Sequence, residues 1–285
     1  MAQNIQMRDL LERKINSARG KIGLYYENLA TGEKFEILHG TDDDVFEAAS
    51  VIKLWVMSAA FEQAENGLLD LDSKVFIREE DKMPVAGLPD YAAMKFEGVL
   101  NDDMFPESGV LNFLGPGPEL TIRDLIILMI LVSDNTAVNV LIDLLGQDTI
   151  NSHIRSLGAE KTVLKRKLFD KRPETEGLEN LFSLEEAASF LRMIYKGELV
   201  SEEASKEMCA ILQNQQNTYK IPFFMRHTPI AHKTGEDLGI ENDVGIVYAE
   251  EPYIMCFASN EADEAEAIRL CQDLAKILKD RGDMA

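Results

Sequence analysis

LTIRDLIILMILVSDNTAVNVLID, residues Leu120 to Asp143, is the segment around which the rest of the chain is read. Thr121 and Asp124 stand at capping spacing, and Leu125 to Val132 follow as eight uninterrupted apolar residues, the longest such run in the chain. A helix that is apolar on every side has no face to offer water, so the pattern predicts a central, fully buried helix over 121–132. The same run is far short of the ~20 apolar residues a bilayer demands, so no membrane-spanning helix is expected. Ser133-Asp134-Asn135 then breaks the pattern, and helical spacing resumes over Thr136 to Leu145.

Toward the N-terminus, Ser50 to Asn66 reads as a helix with a broad apolar face (Val51, Leu54, Trp55, Met57, Ala60, Phe61) stopped by Gly67. Further helices are expected over Leu184 to Tyr195 and near Ser201 to Leu212, while the charged, Pro- and Gly-bearing stretch Lys165 to Asn180 reads as a loop. The ends differ in kind. After an amphipathic opening helix (Met7, Leu10, Leu11, Ile15), Lys21 to Glu27 and Glu33 to Leu38 read as a hairpin. Near the other end, Ala231 to Thr234, Val244 to Ala249 and Tyr253 to Ala258 read as strands, and Glu264 to Lys279 as a closing helix. Strands at both ends around a helical middle imply an α+β fold: one antiparallel sheet closed by the termini, flanked by terminal helices, with an all-helical lobe inserted. We therefore expect a single domain over 1–285, with 1–45 and 228–285 forming the α/β lobe and 46–227 the helical lobe.

The 285 residues, 46% apolar and 28% charged, suffice for a sizeable core, and the net charge of −21 repels phosphate backbones and anionic lipid. Nucleic acid and membrane surfaces are therefore not expected partners. The N-terminus has no continuous hydrophobic stretch of the kind an export signal needs, which predicts a cytoplasmic protein, or a secreted one only if a leader was removed. Cys209, Cys256 and Cys271 are odd in number and widely spaced, and read as buried inert thiols. The histidines His39, His153, His227 and His232 never fall at zinc-ligand spacing, so no metal or cofactor is expected; His232 reads as a packing or surface residue.

Three short motifs carry the chemistry. Ser50 and Lys53 stand three apart at a helix start, which puts a hydroxyl and an amine on one face beside the helix's positive end. Taken alone, Ser50 is an ordinary helix cap and Lys53 a solvated first-turn lysine. Ser133-Asp134-Asn135 and Lys233-Thr234-Gly235 follow in order, each a tripeptide rare by chance, and the joint match is far rarer. A serine hydroxyl is a weak nucleophile that needs a base within hydrogen-bond reach, and Lys53 can serve if burial and a second ammonium, Lys233, keep part of it neutral.

This trio resembles that of the class A β-lactamases and their penicillin-recognising serine hydrolase relatives, and the resemblance runs over nearly the whole chain, including HKTG at His232 to Gly235 and NDVGIV at Asn242 to Val247. It implies a β-lactamase/transpeptidase-like fold with the site in a cleft between sheet and helical lobe. It also implies Ser50 as nucleophile, Lys53 as base, Ser133 as proton relay to the leaving nitrogen, and Lys233 as the second cation. By the same resemblance, Asn135 and Thr234 would bind the substrate's amide and carboxylate. Gly235 completes the motif, and the backbone N–H groups of Ser50 and Glu236 would form the oxyanion hole. Asp134 is expected to be a buried structural partner.

Three departures qualify the resemblance. Class A enzymes place a glutamate two residues after an arginine in the loop facing the serine, where it activates the deacylating water; here Arg166-Lys167-Leu168 puts leucine there, and Asp170 and Glu174 are the nearest acids. RKLFD followed by GLENLFS resembles instead a β-lactamase-like branch lacking that glutamate. Ser50 and Ser133 lie 83 residues apart, longer than usual, with the excess in Met83 to Pro106, a surface loop or a wall of the cleft. No arginine stands between Gly235 and Val247, where relatives hold the substrate carboxylate; Glu236 and Glu241 occupy that stretch, leaving the task to Lys233. The expectation is a serine hydrolase forming an acyl-enzyme with β-lactams, limited by deacylation. The rivals are a D-Ala-D-Ala peptidase or small-ester hydrolase of the same fold, and a penicillin-binding sensor acylated once.

Overall fold

Alternation within the terminal strands explains the architecture. In β1 (Lys21–Asn28), Ile22, Leu24 and Tyr26 point to one apolar cluster and Tyr25 to another. Near the C-terminus, Tyr253, Met255 and Phe257 join the first cluster, whereas Ile254, Cys256 and Ala258 join the second. Period-2 patterning with both faces apolar demands a sheet covered on both sides. A computed structural model, which describes residues 2–82, 109–115, 117–168 and 177–282, has that arrangement.

β2 (Lys34–His39) pairs with β1, and the short strands β3 (Val45–Glu47), β4 (Lys74–Phe76), β5 (Glu119–Thr121) and β6 (Leu181–Ser183) pair off as β3–β6 and β4–β5. β7 (Ile230–Asp237), β8 (Ile240–Val247) and β9 (Tyr253–Asn260) complete a five-stranded antiparallel sheet in the order β2-β1-β9-β8-β7. The first and last segments thus meet at its centre, where Leu24 faces Phe257. One side of the sheet is covered by α1 (Ala2–Asn16) and the C-terminal helix, through Leu11, Ile15, Cys271, Leu274 and Leu278.

The other side carries the helices of the middle: α2 (Lys53–Glu65), α3 (Ile122–Leu131), α4 (Asn135–Leu145), α5 (Gln147–Ser156), α6 (Leu184–Lys196) and α7 (Glu202–Gln213), with α8 (Glu264–Gly282) closing the chain. The predicted central, fully buried helix is not the one found. Every residue from Lys53 to Phe61 of α2 is buried, and the Trp55 ring lies 5.3 Å from that of Phe190 on α6. In α3, by contrast, Asp124 is exposed and Ile127, Leu128 and Leu131 are only partly covered. The reason is position: α2 is ringed by α3, α4, α5 and α7, whereas α3 sits outside it. Helix α5 was not foreseen, nor were the four short strands. Cys256 and Cys271 are buried thiols as expected, while Cys209 is only partly buried, 2.9 Å from the Tyr248 hydroxyl. The segment Met83 to Pro106, and with it Asp170 and Glu174, lies outside the described residues. Among those described, no helix is long and apolar enough to cross a membrane.

Candidate active site

The turn that carries Ser50 is a short 3-10 helix, Ala49–Ile52, run directly into α2. Ala49, its first residue and the one before Ser50, takes a left-handed conformation (φ 42°), which a residue with a Cβ adopts only when its surroundings impose it. Those surroundings are visible: Ala48 N donates to Asn180 O at 2.7 Å, and Asn242 Nδ2 on β8 donates to Glu47 O at 2.9 Å. On the far side lies Gly235, where a Cβ would stand 2.8 Å from Ala48 O and 3.1 Å from Val51 N. Glycine is therefore required for β7 to run against the Ser50 turn, and the peptide of Glu236 continues from that contact.

Lys53 is fully buried, and four polar atoms surround its amine. Nζ donates to Ser133 O and Asn135 Oδ1, both at 2.7 Å, and lies 2.9 Å from Ser50 Oγ and 3.0 Å from Ser133 Oγ. The first two atoms can only accept, so they take two N–H groups; the two hydroxyls can each donate. With those two N–H groups committed, the third position of the nitrogen faces the serine hydroxyls, and in the neutral amine it is a lone pair that can accept from a serine O–H. Burial, and next the ammonium of Lys233, push the Lys53 pKa well below its ordinary value, against smaller opposing effects of Asp134 and Glu236.

Ser133 follows α3 in a second left-handed conformation (φ 56°). Its hydroxyl is shared between the two lysines, 3.0 Å from Lys53 Nζ and 3.0 Å from Lys233 Nζ, which also donates to Thr234 O at 2.8 Å. Lys233 is likewise fully buried, and burial, partly offset by Glu236, lowers its pKa to about 8. Asp134 takes no part in this exchange. One carboxylate oxygen caps α4 by accepting from Ala137 N at 2.9 Å, and the other accepts from Val110 N at 2.7 Å and Leu111 N at 2.9 Å. It is the structural partner the sequence suggested. His232 is a packing residue as well, buried with Nδ1 2.9 Å from Asp243 Oδ1.

Of the eight residues singled out in the sequence, Ser50, Lys53, Ser133, Asn135 and Lys233 thus form one continuous hydrogen-bond network, and Thr234, Gly235 and Glu236 continue along the same strand. Sequence reasoning missed Lys220. Its ammonium is fully buried, 2.8 Å from Glu236 Oε1, 2.6 Å from Glu241 Oε2 and 2.9 Å from Asn242 O. Burial would raise the Glu236 carboxyl, but Lys220, then Lys233, and a lesser effect of the Thr234 hydroxyl hold it at about 2. Glu241 is pushed up to about 7 by burial, which Lys220 offsets only in part. Tyr219 OH adds a hydrogen bond to Glu236 Oε1 at 3.1 Å.

The loop after α5 is tied at its neck. Arg166 Nη2 pairs with Glu179 at 2.6 Å, and Asn180 accepts from the Lys165 and Arg166 amides while donating to Arg166 O. Leu168 is held by both faces of one amide: its N–H donates to Asn139 Oδ1 at 2.9 Å and its C=O accepts from Asn139 Nδ2 at 3.0 Å. Asn139 stands one helical turn after Asn135, so Leu168 is fixed close to the Lys53 network. Its side chain lies in the apolar core. Asn139 also escaped the sequence reading, since an asparagine at i+4 of another has no distinctive spacing.

With this geometry in hand, comparison with known proteins is informative. The model of the beta-lactamase enzyme family matches residues 6–281. Among solved structures, a beta-lactamase from Sphaerobacter thermophilus DSM 20745 is 27% identical, with a TM-score of 0.81 and coverage of 98% of this chain and 97% of that one. PBP-A is 23% identical at a TM-score of 0.80, covering 98% and 97%. A leucine-to-glutamate variant of PBP-A, in an acyl-enzyme complex with penicillin G, is 23% identical at a TM-score of 0.79, covering 99% and 97%. Curated protein sequences give no match. Fold and family model agree over nearly the full length, and the chain belongs to the beta-lactamase enzyme family as a serine beta-lactamase-like hydrolase.

Proposed function

We propose that this chain is a class A-like serine hydrolase that is acylated at Ser50 by β-lactams and releases the product slowly. The observation that carries the reading is the wholly buried Lys53 amine, 2.9 Å from Ser50 Oγ, with two acceptor-only partners occupying two of its hydrogens. In the neutral form its lone pair takes the Ser50 proton as Oγ attacks the lactam carbonyl. The backbone N–H groups of Ser50 and Glu236 would stabilise the developing oxyanion, each such donor contributing about 3 kcal/mol. Ser133 then gives its proton to the leaving nitrogen and is resupplied across 3.0 Å from Lys53, which holds the proton taken from Ser50. Lys233 keeps Ser133 oriented and keeps the Lys53 amine neutral.

Hydrolysis of the resulting ester needs a water beside a base. Leu168, with its apolar side chain in the core, occupies the loop position that resemblance assigns to that base. The penicillin G acyl-enzyme of the PBP-A variant supports the acylation half of the reading for this fold. Mixing the protein with a chromogenic cephalosporin tests it. A burst of one product per active site followed by a slow steady phase is expected. Fast turnover without a burst would refute the deacylation limit, a single burst with no later phase would indicate a penicillin-binding sensor, and no reaction would favour a D-Ala-D-Ala peptidase or small-ester hydrolase.

A further inference from the structure

Beside Ser133 and Lys233, strand β7 carries the components of a carboxylate-binding site, and the protein occupies them with a carboxylate of its own, that of Glu236. Ser133 Oγ lies 3.0 Å from both Lys53 Nζ and Lys233 Nζ, so the atom it protonates stands next to the β7 lysine, and a group carried by that atom comes within reach of β7. On β7, side chains of alternate residues share a face, which puts Glu236 next to Thr234. The Glu236 carboxylate gathers the buried Lys220 ammonium at 2.8 Å and the Tyr219 hydroxyl at 3.1 Å. These are the donors that an incoming carboxylate would need. Lys220 is already engaged: it donates to Glu236 Oε1 and Asn242 O, and Glu241 Oε2 stands 2.6 Å from the same ammonium as a second counter-charge.

Resting on the acyl-enzyme reading above, we infer that Glu236 is a specificity-determining residue that selects against acyl donors bearing a carboxylate on the leaving side, so that uncharged or cationic cyclic amides and esters are the preferred substrates. An anionic donor must bring its charge up to a fixed carboxylate whose cation is already paired, in a partly buried setting where like charges repel strongly. An uncharged donor meets no such opposition.

Penicillin G and its methyl ester form a matched pair that differs in that charge and one methyl group. Acylation rate constants would be measured by intact-mass spectrometry, each divided by the compound's own alkaline hydrolysis rate, with a fluorophosphonate as a neutral control label. In the wild-type protein the ester should react at least about ten-fold faster than the acid. In Glu236→Gln, which keeps an acceptor for Lys220 and the same backbone N–H, the acid-to-ester ratio should rise by a similar factor. A wild-type protein that prefers the acid would overturn the inference whether or not the variant folds, as would an unchanged ratio in a folded variant. Should none of the three reagents label Ser50, the acyl-enzyme reading falls, and the selectivity falls with it. Labelling by the fluorophosphonate and both penicillins at equal normalised rates would leave acylation standing and remove the selectivity alone.

Discussion

Replacing Lys53 by methionine keeps an unbranched chain out to Cε and removes the nitrogen, so it separates chemistry from packing. The amine donates to Ser133 O and Asn135 Oδ1, and methionine leaves each of these acceptors without that partner at a cost of roughly 1–3 kcal/mol apiece. Against this, the wild-type protein keeps an amine entirely out of water, and exchanging it for a thioether recovers a desolvation cost of about the same size. The two largely offset one another, so Lys53→Met should unfold within a few degrees of the wild-type Tm. Acylation has no such compensation. With no group left to take the Ser50 proton, the rate should fall ~10²- to 10⁴-fold, or about 3 to 5 kcal/mol of barrier. The assay is the second-order rate of penicillin G adduct formation at neutral pH, read by intact mass beside a thermal melt. A well-folded variant that acylates within a few-fold of wild type would refute the base assignment.

Three further outcomes are expected. The acylation rate should rise with pH as Lys53 loses its proton and decline again near pH 8, where Lys233 loses the charge that orients Ser133; a rate still climbing at pH 9.5 would contradict the role of Lys233. Because the Glu236 pKa drops on folding from 4.5 to about 2, its contribution to stability is complete above pH 4.5 and disappears as pH falls toward 2. Wild type should therefore lose about 3 kcal/mol relative to Glu236→Gln over that window in urea titrations, and parallel pH profiles would show the pair with Lys220 to be worth nothing net. Leu168→Glu keeps the Asn139 clasp, which binds backbone only, so the new carboxylate should raise the slow phase of cephalosporin turnover while leaving the burst rate near its original value. An unchanged slow phase would mean that deacylation is limited elsewhere.

The elements most readily legible in the sequence were those whose pattern is set by one neighbour. The terminal strands declare themselves because every second residue must enter a core, and the three motifs declare themselves because their chemistry tolerates few substitutes. Burial of α3 was overread for a physical reason: eight apolar residues state that a helix prefers not to meet water, but which helix is ringed by others is decided by tertiary arrangement, and that place went to α2. Helix α5 went unseen because only Ile150, His153 and Ile154 carry its buried face, too few to stand out in a polar stretch. Lys220 was invisible as a lone lysine before Ile-Pro-Phe-Phe. A clue did exist in the hairpin, where Glu236 and Glu241 sit directly opposite each other across β7 and β8. Two facing carboxylates are unfavourable unless a cation stands between them, and Lys220 is that cation.

Ser50 Oγ is the atom that a β-lactam must acylate. Intact-mass and peptide-mass spectrometry after exposure to penicillin G should find one adduct per chain, on the peptide that contains Ser50, and none on Ser50→Ala. An adduct that persists in Ser50→Ala, or that maps to any other peptide of the wild-type protein, would contradict Ser50 as the nucleophile.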